Sequence, residues 1–219
     1  MLYWFGKIFG GIFSWIFFRL KVDGVDNIPR RGAVILAANH ISWLDPPLVA
    51  MKVPRRITFI SKTTFHNNFF TRPIIRSVGI IPLRQHSGAV GMIGAIKSLK
   101  KGRAMVIFPE GTRNLSGKPF LPASPGVAFL AEGTGAPVVP VYLEGTDKAL
   151  PNRARIFRPR EIRVFYGKLL TFPGGSRQEF ADKVMAAIAE LKDRRQTLNS
   201  KCQPSDQQIL NFKSLKSES

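Results

Sequence analysis

Ala33-Val34-Ile35-Leu36-Ala37, which runs through Ala38 into Asn39-His40, decides the fold. An unbroken apolar run this short, entered from Gly32 and left at a polar pair, reads as a strand buried on both faces. Strands of that kind belong to parallel sheets covered by helices. Working outward, similar stretches occur at Ile57 to Ile60, Ile80 to Leu83, Ala104 to Phe108, Val138 to Leu143 and Ile162 to Tyr166. Helical spacing lies between them. Val90, Ile93, Ile96 and Leu99 fall within Ala89 to Lys101, with Gly102 as the stop, and a shorter helix is expected from Gly126 to Glu132. Phe180, Val184, Ile188 and Leu191 mark one face of a final helix that starts near Ser176. Strands alternating with helices give an α/β class, with a mixed, largely parallel sheet flanked by helices. There is no internal repeat and no linker long enough to split the body. The expected organisation is an apolar segment over 1–21, one domain over 22–198 and a polar tail over 199–219, whose Ser, Lys and Gln content is that of a disordered end.

The chain has 219 residues, a 44% hydrophobic fraction and a formal net charge of +19. The first two figures suit one medium domain with a sizeable core. The charge implies a polyanionic partner, which charge alone does not choose among nucleic acid, anionic lipid and a phosphorylated substrate. Cys202 is the only cysteine, so no intramolecular disulfide forms, as suits a reducing compartment or indifference to redox state.

Met1 to Leu20 is apolar and aromatic, with Lys7 and Arg19 as its only charges. A signal peptide would need small residues at a cleavage site, and Phe17-Phe18-Arg19-Leu20-Lys21 has none. The length is marginal for a membrane span. At helical spacing Lys7, Gly10, Gly11 and Ser14 form one narrow stripe, surrounded by Trp4, Phe5, Phe9, Ile12, Phe13 and Trp15 to Phe18. A helix lying in the membrane interface is the reading taken, with a span and an intradomain core helix as the alternatives.

Chemistry in open α/β sheets collects where strands end and helices begin. His40 and Asp45 stand at such a junction, with Pro46 and Pro47 suited to the first turn of a helix through Leu48 and Val49. Across one bend, a carboxylate can hold an imidazole in the orientation and tautomer of a general base. Equally, Asp45 can be a helix cap and His40 a loop residue bonded to backbone. The residues alone leave both readings open. His66 and His86 lack ligand-like company, so no metal site is expected. No Gly-Xaa-Ser-Xaa-Gly elbow or other nucleophile accompanies His40, which suggests direct transfer without a covalent enzyme intermediate.

A second constellation, Phe108-Pro109-Glu110-Gly111-Thr112-Arg113, also follows a strand. Gly111 permits a tight turn, and Arg113 presents a fork suited to phosphate or carboxylate. Glu110 is expected either to accept a bond from a substrate hydroxyl or to hold Arg113. Arg84 and Lys62 are two further cations at strand ends. Any one of them alone is most simply a solvated surface charge. Together beside a His-Asp pair, they describe a base acting on a hydroxyl of a molecule held by its phosphate.

At this point the chain resembles the glycerolipid acyltransferase family that includes 1-acyl-glycerol-3-phosphate acyltransferases (lysophosphatidic acid acyltransferases). The resemblance rests on four blocks in order across about residues 22 to 170. The first is His, four residues, then Asp, matched by His40 and Asp45. The second spans Phe59-Ile60-Ser61-Lys62 through Gly79-Ile80-Ile81-Pro82-Leu83-Arg84. The third is Phe108 to Arg113, and the fourth Val138-Val139-Pro140-Val141.

What the resemblance implies is acyl transfer from acyl-CoA or acyl-acyl carrier protein to the sn-2 hydroxyl of 1-acyl-glycerol-3-phosphate, giving phosphatidic acid in phospholipid biosynthesis. His40 is implied as the base and Asp45 as its partner. Lys62, Arg84, Glu110, Gly111, Thr112 and Arg113 are implied as substrate-binding. No cofactor is implied beyond the acyl donor as co-substrate, and the partners are membrane lipids, the lysolipid acceptor and the donor. The small body and minimal N-terminal anchor point to the cytoplasmic face of a bacterial inner membrane.

The chain departs from the family pattern once. Relatives commonly carry a lysine two residues before the glycine that opens the helix after the third block, and here that place is Ser124, in Ala123-Ser124-Pro125-Gly126. Either Lys118 is the compensating cation, or the acceptor is a different lysolipid, which stands as the alternative. A nucleic-acid-binding protein would explain the charge but not the apolar N-terminus or the His-Asp pair, and no recognition motif supports it. A catalytically dead membrane scaffold on the same fold is separated from an enzyme by substituting His40 and Asp45.

Overall fold

The computed structural model describes residues 11, 12, 14, 16–62, 80–83, 88–154 and 156–202. Seven strands form one sheet: β1 (Lys21–Asp23), β2 (Val34–Ala38), β3 (Ile57–Lys62), β4 (Ile80–Leu83), β5 (Ala104–Ile107), β6 (Val138–Glu144) and β7 (Arg163–Tyr166), in the order β1-β7-β6-β2-β5-β3-β4. Every neighbouring pair is parallel except β6 with β7. Besides a helical N-terminal stretch that ends at Phe18 and a 3-10 turn (Val25–Asn27), the described helices are α1 (Asp45–Met51), α2 (Gly88–Lys100), α3 (Gly126–Thr134), α4 (Thr146–Ala149) and α5 (Arg177–Cys202). The α/β class and the largely parallel sheet are as the sequence predicts. β1 and α4 are too short to show a period. The last helix continues to Cys202, past Ser200, and residues 203–219 lie outside the described part.

The period of two along each strand sorts the core into layers. Val34, Leu36 and Ala38 of β2 point to one face, joined by Val139, Val141 and Leu143 of β6 and by Leu48 and Val49 of α1. Ile35 and Ala37 point to the other, against Ala95 and Leu99 of α2, Leu130 of α3 and Phe180, Val184 and Ile188 of α5. β2 lies between β5 and β6, so all five of its residues are buried. That is why its sequence is apolar without alternation.

Part of the N-terminal segment is helical, and it packs on the α1 face. Ser14 and Phe18 are buried, and a Cβ on Gly11 would lie 3.7 Å from the Met51 sulfur. Ile12 and Ile16 point outward, 52% and 66% exposed. Gly11 and Ser14, the described residues of the narrow stripe, thus face the protein rather than water. No described helix is long and apolar enough to cross a membrane.

The buried Tyr166 hydroxyl at the end of β7 donates to the Val49 carbonyl at 2.6 Å, joining sheet to α1, and burial raises its pKa well above the ordinary phenol value. Tyr166→Phe leaves that carbonyl without its donor. We expect a loss of about 1–2 kcal/mol in chemical denaturation, with catalytic constants near wild type.

Candidate active site

β2 ends at Ala38, and the next two residues are fixed from both sides. Asn39 is buried, and its side chain makes a two-way bond with β6: Nδ2 donates to the Leu143 carbonyl at 3.0 Å and Oδ1 accepts the Leu143 N–H at 2.7 Å. This stitches the strand end where β2 and β6 diverge, and it leaves His40 at the edge of the core. His40 Nδ1 lies 2.8 Å from Asp45 Oδ2, and the same oxygen accepts the backbone N–H groups of Ile41 and Ser42, each at 2.7 Å. Asp45 is fully buried, and its other oxygen, Oδ1, has no hydrogen-bond partner.

That pattern bears on the two readings the sequence leaves open. Asp45 opens α1, yet the helix has no side-chain cap, and Pro46 and Pro47 bring no N–H groups to its first turn. The carboxylate turns back onto the loop before it. An acceptor-only carboxylate at Nδ1 favours the tautomer with the proton there, so Nε2 carries the lone pair. The ring also stacks on Phe108, with centroids 4.0 Å apart and planes 20° apart. Its rotation is therefore restricted by a carboxylate at one edge and an aromatic ring on one face.

The loop after β5 supplies the rest of the clamp. Glu110 Oε1 accepts the His40 N–H, and Oε2 accepts the Leu121 N–H, both at 2.9 Å. The Asn114 N–H donates to the His40 carbonyl at 2.6 Å, so both backbone groups of His40 bond to this loop. Burial pushes the Glu110 pKa up, and the two backbone donors work in the opposite direction. Glu110 forms no ion pair with Arg113, and its oxygens are engaged by backbone. The structure gives it a task the sequence reading lacks, that of a buried brace. Gly111 sits at φ 68, in the left-handed region where a side chain would be strained, and makes the turn that carries the chain past the brace. Thr112 is exposed. The Arg113 guanidinium lies over the Trp43 ring, 4.1 Å from its centroid, and so is held within a few residues of His40.

His40 with its carboxylate and the Arg113 fork thus both follow the C-terminal ends of parallel strands, β2 and β5. The acyltransferase family model matches residues 19–144, more than half of the chain. The chain belongs to the acyltransferase family. It is 29% identical over 193 residues to the chloroplastic 1-acyl-sn-glycerol-3-phosphate acyltransferase BAT2 of Brassica napus, covering 84% of this chain and 54% of that protein. It is 23% identical to the 1-acyl-sn-glycerol-3-phosphate acyltransferase of Bacillus subtilis, covering 83% of this chain and 89% of that one. The crystal structure of the 1-acyl-sn-glycerophosphate acyltransferase PlsC from Thermotoga maritima superposes with a TM-score of 0.76 at 28% identity, covering 86% of this chain and 78% of that one. The chain spans about half the length of several curated relatives it matches.

Within this acyltransferase fold, His40, Asp45, Glu110, Gly111, Thr112 and Arg113 come together in one region. Lys62 closes β3 with only its backbone described, and Arg84 lies outside the described residues, as do His66 and His86. Among the described residues no group of three or more His, Cys, Asp or Glu side chains is placed to hold a metal. Ser124 is exposed, and its N–H donates to the Pro109 carbonyl at 2.8 Å, so it borders the Glu110–Arg113 turn. Lys118 is exposed on the loop between them, its carbonyl accepting from Asn114 Nδ2 at 2.9 Å. Asn39 and Phe108 stand within the sequence motifs without a task assigned to them, and the tasks of Trp43 and Asn114 are likewise seen only in the structure. A polar residue directly after a buried strand was the one available signal, and it pointed to Asn39.

Arg113→Lys keeps the charge but loses the planar fork and the stacked geometry. We expect KM for a phosphate-bearing acceptor to rise about tenfold, with KM for the acyl donor little changed, in steady-state assays varying each substrate in turn.

Proposed function

We propose that this protein transfers an acyl group from a thioester donor, acyl-CoA or acyl-acyl carrier protein, to the sn-2 hydroxyl of 1-acyl-glycerol-3-phosphate. The observation that carries the reading is the His40–Asp45 contact, with three donors converging on Asp45 Oδ2 and the ring stacked on Phe108. His40 Nε2 takes the hydroxyl proton as the hydroxyl oxygen attacks the thioester carbonyl carbon. The tetrahedral intermediate collapses with loss of the thiolate, which recovers the proton from His40. The products are the diacyl ester and the free thiol, with no acyl group left on the protein. Asp45 stabilises the imidazolium formed between the two steps. Arg113, held over Trp43, takes the acceptor phosphate, with the Gly111-Thr112 turn next to it in the chain and with Arg84 and Lys62 as additional cations.

The acceptor and the product are lipids, so the reaction belongs at a membrane surface. The outward Ile12 and Ile16 and the +19 charge support a membrane-associated protein; the cytoplasmic face of a bacterial inner membrane is the location we propose for it. The names of the relatives support the glycerol phosphate acceptor. Ser124 supports the second reading, an acceptor with a different headgroup, because no cation stands at that place beside the Glu110–Arg113 turn. Purified protein offered acyl-CoA with a panel of lysolipids separates the two. 1-Acyl-glycerol-3-phosphate is expected to be the best acceptor, and its ranking among the poorest would overturn the assignment.

A further inference from the structure

The loop between α4 and β7 does not behave as a solvated connection. Ile156 is 79% exposed, far more than a β-branched apolar residue needs to be, and Phe157 beside it is 41% exposed. Pro151 to Arg160 holds four arginines and no acidic residue, and Arg153, Arg158 and Arg160 are exposed around the apolar pair. Arg153 adopts φ 67, the left-handed region that an arginine enters only when the surrounding turn demands it. An apolar tip ringed by cations fits one partner above others, an anionic bilayer, whose acyl boundary takes the side chains and whose headgroups take the charges.

The loop is also tied to the neighbours such a role requires. Its base is closed by the Arg158 N–H donating to the Ala149 carbonyl at 2.8 Å. Phe157 meets Phe18 edge to face at 6.0 Å, and the Ile162 N–H donates to the Phe18 carbonyl at 3.0 Å. Phe18 ends the helix that turns Ile12 and Ile16 outward. On the other side, the Leu150 carbonyl accepts from Ser42 Oγ at 3.4 Å, so the loop hangs from the segment that carries His40 and Asp45.

We propose that the Pro151–Arg160 loop is a second bilayer-inserting element, continuous with the N-terminal helix, that seats the catalytic bend against an anionic lipid surface. The inference rests on the reading of the protein as a membrane-surface enzyme. The loop tip enters the headgroup layer, and Ile156 reaches the acyl boundary.

The test labels the tip. In a Cys202→Ser background, Ile156→Cys carrying an environment-sensitive fluorophore is titrated with phosphatidylcholine vesicles with and without 30% phosphatidylglycerol. We expect a blue shift and rise in emission on the anionic vesicles. In unlabelled protein, Arg153→Glu with Arg158→Glu should weaken anionic-vesicle binding by about tenfold or more, since each basic residue near the surface is worth about fivefold. Ile156→Asp should weaken binding to the same vesicles by about fivefold, while turnover of a short-chain, monomeric acceptor stays at the wild-type value. Circular dichroism of each variant checks that the fold persists. A label that does not respond to vesicles, variants that bind as wild type, or a label already buried in a concentration-dependent dimer would each overturn the proposal. Vesicle insertion without acyl transfer to any lysolipid would leave this surface standing and remove the proposed reaction.

Discussion

Acyl transfer by the His40→Ala protein should fall by about a thousandfold in kcat, with KM for both substrates near wild type. The side chain contributes one contact to Asp45 and one stacked ring to Phe108, and neither engages the phosphate or the thioester. Under the proposed mechanism, removing it takes away the lone pair that receives the hydroxyl proton, while Asp45 Oδ2 keeps the Ile41 and Ser42 N–H groups. The loop should therefore stay in place, and the stability loss should be about 1 kcal/mol. Stopped assays of thiol release and of diacyl product, run beside circular dichroism, measure both effects. Unchanged turnover in a folded His40→Ala protein would end the base assignment, and with it the distinction from a dead scaffold.

Asp45 is expected to behave differently, because in the proposed mechanism it serves folding and catalysis together. Asp45→Ala strips the acceptor from two backbone N–H groups and a ring N–H at a site with no exposure. Each buried donor left unmade costs about 1–3 kcal/mol, so the protein should lose about 3 kcal/mol or more. A trace of activity should survive, since the base remains but is no longer oriented. Asp45→Asn separates the two roles. All three donors meet one oxygen, and an amide oxygen placed there accepts them all; the amide nitrogen then replaces Oδ1, which already lacks a partner. Its stability should be closer to wild type than that of Asp45→Ala, yet kcat should still fall about a hundredfold or more, because the charge opposite the imidazolium is gone. Equal stability losses in the two variants, or full activity in Asp45→Asn, would contradict this division.

Much of the fold was legible because β2, β5 and β6 are buried on both faces and carry almost no polar atoms. Parallel pairing demands such sequences, and little else produces them. β1 escaped notice because Lys21-Val22-Asp23 lies at the sheet edge, where one apolar residue between charges makes no pattern. At the site, His40, Asp45 and Arg113 could be picked out by residue type and by their place after strands. Glu110 could not be assigned its task. Its partners are the N–H groups of His40 and Leu121, 70 and 11 residues away in the chain, and backbone groups carry no side-chain signature. The N-terminal helix illustrates the same limit. Gly11 and Ser14 belong to the narrow stripe that helical spacing picks out, and they face Met51 and the core because small residues allow close approach. Only the packing shows which side of such a helix is outward.

The brace also has a sign in pH. Burial holds the Glu110 pKa above its ordinary value, so folding favours the protonated carboxyl relative to the unfolded chain. Its contribution is fully present below the unfolded pKa and is lost as pH rises through the folded one. The stability advantage of wild type over Glu110→Gln should accordingly shrink as pH is raised across the carboxylate range, as read by denaturant midpoints. A difference that grew with pH would mean that the hydrogen bonds outweigh desolvation.

Direct attack by the acceptor hydroxyl, driven by His40, is the claim on which the rest depends. It is tested by following labelled acyl groups in one reaction of purified protein, acyl-CoA and 1-acyl-glycerol-3-phosphate. Phosphatidic acid should appear in step with free CoA, with no label on the protein and no CoA release before the acceptor is added. An acylated protein formed in the absence of acceptor, or CoA release without phosphatidic acid, would contradict it.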